Sequence, residues 1–143
     1  MISREDKNII YVRIEKGEEI FYSLCQIIKK YNIKSGWING IGAICKVEIG
    51  SYNLKNKNYN RIKFDDDYEL ISLMGNIALK DKKPFLHIHI AMSDAKCQAY
   101  GGHLFSAEIL ATGEFYIYKT ETYIDRKHDQ STGLFLWEFE NCE

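Results

Sequence analysis

The sequence predicts an α+β domain, a mainly antiparallel β-sheet covered by one principal N-terminal helix. Three observations predict it. Stretches of alternating apolar and polar residues recur along most of the chain, separated by short polar turns. One stretch near the start carries its apolar residues at helical spacing instead. Pro84 is the sole proline, and no Gly/Ser-rich linker or repeat divides the 143 residues, so 1–143 reads as one domain.

The first strand is expected over Ile9 to Ile14, where apolar and polar residues alternate. From Glu18 to Tyr31 the period changes. Ile20, Phe21, Leu24, Ile27, Ile28 and Tyr31 then form one helical stripe, with acidic residues opening the segment and Lys29 and Lys30 closing it. Ser35 to Ala43 is apolar but punctuated by glycine, as where backbones pack closely. A strand over Lys46 to Tyr52, a polar turn at Lys55 to Asn58 and a short strand over Arg61 to Phe64 follow.

Asp65, Asp66 and Asp67 form an acidic loop before the strand Glu69 to Leu79, in which Ile71, Leu73, Ile77 and Leu79 share a face. Pro84 stands at the start of the strand Phe85 to Met92, where a missing N–H is tolerated. Ser106 to Thr120 alternates again, with Ile109, Phe115 and Ile117 inward and Glu108, Glu114, Tyr116 and Tyr118 outward. A last strand is expected over Leu134 to Phe139.

Composition narrows the function classes. Hydrophobic residues make up 45% of the chain and aromatics 13%, which argues for an ordered core. Nineteen basic residues against twenty acidic ones leave a net charge of -1, so no basic excess exists to grip phosphates by charge alone. Cys25, Cys45, Cys97 and Cys142 form no CxxC pair and read as reduced, mostly buried thiols. The N-terminal MISREDKNII has no long apolar core, and no run approaches membrane-spanning length, so the expected location is cytoplasmic, with no membrane partner.

The chemistry-bearing residues gather in FLHIHIAMSD. Leu86, Ile88, Ile90 and Met92 are apolar and should face the core. Alternation then puts His87 and His89 together on the other face, roughly 6.6 Å apart along the backbone. Two imidazoles so spaced can converge on one ion at nitrogen–metal distances of roughly 2.0–2.1 Å. His103 follows two glycines in YGGHL, and lies across from the pair if Cys97 to Leu104 returns antiparallel.

Three neutral imidazoles and a vacant fourth position suit Zn²⁺ or another divalent metal. The competing reading of these histidines is three separate surface or hydrogen-bonded residues. Glu114 is the carboxylate candidate for ligand or general base, set against simple pairing with a neighbouring cation. His128, in DRKHDQ, reads as a solvated loop residue, and the Asp65–Asp67 run lacks a calcium-loop pattern. INGIGA gives no GxGxxG, no GK[ST] follows it, and no GxSxG is present, so nucleotide-loop and serine-nucleophile chemistry are unsupported.

WINGIGA, VEIGSY, ELISLMGNIAL, PFLHIHIAMSD, AYGGHL and ATGEFYIY, in this order and spacing, resemble the plants-and-prokaryotes-conserved (PPC) domain family from Ile9 to Phe139. The HxH strand and the GGHL turn are the most specific parts. The resemblance implies a compact α+β fold, a homotrimer with the site near a subunit boundary, and a metal site at His87, His89 and His103. It also implies an association with DNA, since plant members carry the domain after AT-hook segments. This chain has no Arg-Gly-Arg-Pro hook to enter a minor groove. Aromatics are enriched at interfaces, so Trp37, Trp137, Tyr116 and Tyr118 are candidates for the trimer contact, against a core reading of both tryptophans. The expected functions are therefore a trimeric metal-binding module serving as small-ligand sensor or metal-water enzyme, a DNA-associated regulator, or a structural assembly module.

Overall fold

The computed structural model describes residues 1–139. In chain order these form β1 (Ile2–Asp6), β2 (Ile9–Glu15), α1 (Ile20–Lys30), β3 (Gly36–Asn53), β4 (Asn58–Phe64) and β5 (Tyr68–Lys80). β6 (Lys83–Ser93), β7 (Ala99–Lys119), β8 (Asp125–His128) and β9 (Phe135–Glu138) complete them. Among the described residues, α1 is the one helix, and it is not long and apolar enough to cross a membrane. Pairing is antiparallel throughout, apart from a single parallel bridge between β5 and β8 at Leu79 and Asp125.

Two long strands organise the sheet. The first part of β3 pairs with both β5 and the second part of β7, while its later part pairs with β4 and the first part of β7. β5 pairs with β6, and β6 returns to the start of β7. The pairings β3–β5–β6–β7–β3 therefore close a ring. Register shifts at Gly40/Gly42, Gly42/Ile44 and Cys45/Glu48 bend β3 enough to allow this, as bulges do in barrels.

The core fills the concave side. Ile38, Ile44, Leu73, Ile77, Ile88, Ile109 and Phe115 are buried there, together with Ile20, Leu24, Ile27 and Ile28 of α1. Each fully buried aliphatic side chain contributes about 1.5–3 kcal/mol. The carboxylate of Glu19 caps α1 by accepting from the backbone N–H groups of Phe21 and Tyr22, at 3.1 and 2.5 Å. The same carboxylate accepts from Ala107 N–H at 3.3 Å, which pins the helix start to β7.

Several expectations need correction. Ser35 to Ala43 and Lys46 to Tyr52 belong to one bent strand, β3, because bulges absorb the glycine-rich irregularity. The GGHL segment is strand, continuous with Ser106 to Thr120 in β7. Ile71 points outward at 51% exposure: a register shift between Leu70 and Ser72 turns Leu70 and Leu73 inward together. β1 and β8 lie where no strand was expected, and His128 sits on β8, still exposed. Cys97 is exposed and Cys25 and Cys45 only partly buried, all three as free thiols; Cys142 lies outside the described residues.

Candidate metal centre

Two turns set the register that builds the site. Asp81 and Lys82 both take positive φ, 52° and 62°, making a two-residue hairpin turn whose twist matches the flanking strands. Lys80 thus pairs with Lys83, and further along His87 stands opposite Asn76 and His89 opposite Met74. At the other end, the carboxylate of Asp94 accepts from the backbone N–H groups of Lys96 and Gln98, both at 2.9 Å. These bonds hold Asp94 below the usual carboxylate range, and the tight loop they close aligns Ser93 with Ala99. Counting back along both strands brings His103 directly opposite His89.

Leu86, Ile88, Ile90 and Met92 are buried, as alternation requires, so His87 and His89 occupy the outer face. Two glycines are needed for this approach. A Cβ on Gly75 would stand 2.6 Å from the carbonyl oxygen of His87, and one on Gly102 would stand 2.9 Å from that of Gly50. Side chains at either position would push the strands apart.

The three rings converge. His87 Nε2 and His89 Nε2 lie 3.2 Å apart, and one nitrogen from each of the three histidines falls within 4.8 Å of the others. Ring nitrogens bound tetrahedrally to zinc lie about 3.3 Å from each other. Burial, then the charge of His89, then Arg126, lowers His87 from 6.5 to about 4. Burial, followed by His87, His89 and Arg61, lowers His103 likewise to about 4. Both are thus neutral at physiological pH, the form in which imidazole donates to a metal. The buried Nδ1 of His103 has no hydrogen-bond partner, an orphaned atom in a site whose donors suit a cation.

Glu114 is not brought to the site. It pairs in register with Arg13 of β2 and Ile41 of β3, three strand spacings, or about 14 Å, from β6. It lines a separate depression with Ile41, Met74 and Tyr116. Among the described residues, no other group of three or more potential ligands exists, so His128 and the Asp65–Asp67 loop join no such cluster. Residues missed from sequence surround the histidines: Tyr59 packs 4.9 Å from the His103 ring, and Arg126 Nη2 donates to Asn76 Oδ1 at 2.7 Å. Their positions depend on strand neighbours distant in sequence, which local patterns do not carry.

A model of the Plants and Prokaryotes Conserved (PCC) domain matches residues 1–121. The chain belongs to the PCC domain family. Solved structures of similar proteins agree. A Bacteroides thetaiotaomicron protein with a provisional DNA-binding name is 33% identical, with 98% of each chain covered and a TM-score of 0.94. A plant- and prokaryote-conserved protein of Pyrococcus horikoshii is also 33% identical, covering 98% of this chain and 96% of that one, at 0.86. A metal-containing protein of Archaeoglobus fulgidus shares 33% identity over 97% of this chain and 99% of its own, at 0.84. No protein of curated function matches. The PCC fold here is mostly antiparallel sheet with one helix, and its outer face carries a histidine triad able to bind a metal.

Proposed function

We propose that this PCC protein is a homotrimeric metal-binding module in which His87, His89 and His103 hold one divalent ion, zinc by donor type. The convergence of three imidazoles on one outward face carries this reading. The ion would supply an electrophilic centre with an open position for a small ligand, the property that separates a sensor or enzyme from a structural site. The protein's part is to hold two rings neutral through burial and to fix their spacing through the β5–β6 and β6–β7 registers. A metal-containing relative at 33% identity favours the same reading.

The trimer is supported by what surrounds the site. Tyr11, Tyr116, Asn39, Met74, His89 and His103 form one continuous cross-strand row on the outer face. Beside it stand Trp37 and Ile41, 40% and 57% exposed, giving an apolar area suited to burial against other copies. Three free thiols fit a reducing compartment, so we assign the protein to the cytoplasm and read 1–143 as one domain.

Metal analysis of the purified protein tests the central reading. One ion per chain, lost in the His87→Ala/His89→Ala double variant, is expected; unchanged stoichiometry in that variant rules it out. A second reading, DNA association, is favoured by the name of the Bacteroides relative. Duplex binding that weakens steeply as salt rises supports it. Binding absent at physiological salt, or indifferent to salt, removes it.

A further inference from the structure

A cavity of about 220 Å³ opens beside the triad, with His87 and His103 on one wall and Arg126 of β8 on another. The remaining lining includes Tyr59, Phe85, Leu134 and Phe135, so apart from one cation and two imidazoles the walls are aromatic and aliphatic. The space is open to solvent and has room for a small molecule.

Arg126 is held rather than free. Nη1 donates to the carbonyl of Phe135 and Nη2 to Asn76 Oδ1, each at 2.7 Å, while its guanidinium lies 5.3 Å from the Phe85 ring centroid. Both anchors are neutral. Among the described residues, no carboxylate forms an ion pair with it. Burial lowers its pKa, the mark of a cation short of solvent. Three buried side-chain polar atoms lack a partner among the described residues. Two of them, His103 Nδ1 and Arg126 Nε, belong to residues lining this one cavity.

We propose that this cavity binds a small carboxylate with an apolar body, its carboxylate held between Arg126 and the ion on the histidines. The proposal rests on the metal reading above, which supplies the second positive centre. A guanidinium without a counter-ion selects an anion, and Nη1 and Nη2, each with one N–H committed to the protein, each keep a second N–H for a carboxylate oxygen. The aromatic walls favour an apolar remainder. Arg126, Leu134 and Phe135 come from the β8–β9 hairpin, which thus supplies one wall of the cavity.

Calorimetric titration of the zinc-loaded protein with benzoate tests this, with zinc content measured on the same sample. Benzoate is expected to bind saturably, acetate more weakly, and the uncharged isostere benzamide not at all. Arg126→Gln is expected to keep its zinc but bind benzoate about ten- to a hundredfold more weakly, the worth of a charge-assisted bond. Arg126→Lys, which keeps the charge without the paired nitrogens, should fall between. Benzamide binding as tightly as benzoate overturns the proposal without relying on any variant, as does unchanged affinity in zinc-loaded Arg126→Gln. A wild-type chain that takes up no zinc overturns the metal reading and this one with it. A chain that holds zinc and ignores benzoate overturns this one alone.

Discussion

At the scale of single residues, protonation decides what the triad can do. His87 and His103 titrate at about 4 in the folded chain, against 6.5 for free imidazole. Between these values the unfolded chain binds more protons than the folded one, so their contribution to stability falls as pH drops through that window. It is level above about pH 7, where both states are neutral. Urea midpoints of chelator-treated protein check this: the loss from pH 6.5 towards 4 should be smaller in His87→Gln/His103→Gln than in the wild type. Identical pH profiles would contradict the burial assigned to these rings.

The shared face of His87 and His89 was legible because alternation in FLHIHIAMSD is undisturbed, and the antiparallel return of the chain brings His103 opposite His89. Glu114 was misplaced for the opposite reason. A strand pattern gives the face of a residue and says nothing of how many strands separate it from another on that face. Arg126 gave no signal at all, since its placement depends on the Phe135 carbonyl and on Asn76, fifty positions away.

At the scale of elements, caps and tight turns hold the arrangement. Glu19 accepts two bonds at the start of α1 and a third from β7, so Glu19→Ala should cost about 0.5–2 kcal/mol in denaturant unfolding. A smaller loss would mean that the cap is redundant. Gly75→Val inserts a side chain against the His87 carbonyl and should cost about 1–3 kcal/mol and loosen zinc. Full zinc retention by that variant would show that β5 does not set the site. The helix was legible to within two residues from its stripe and flanking charges. The strands were legible in kind but not in length: the bulges in β3 and the continuity of β7 through Gly101 and Gly102 arise from pairing with partners remote in sequence. The inverted Ile71 has the same origin, because one extra residue at a bulge exchanges the two faces beyond it.

For the molecule as a whole, the closed ring of β3, β5, β6 and β7 leaves a core on one side and an aromatic, histidine-bearing face on the other. If that face assembles the trimer, sedimentation should give a mass three times 16.7 kDa. Ile41→Glu, which charges an exposed position on the face, should then yield folded monomers. A monomeric wild type would remove the trimer while leaving the triad untouched, since all three imidazoles come from one chain. Anomalous diffraction from zinc-loaded crystals tests the shared-ion claim most directly. The expected result is one peak roughly 2.0–2.1 Å from a ring nitrogen of each of His87, His89 and His103, with a fourth position open. No peak there, with each ring bonded to a different neighbour, would contradict it.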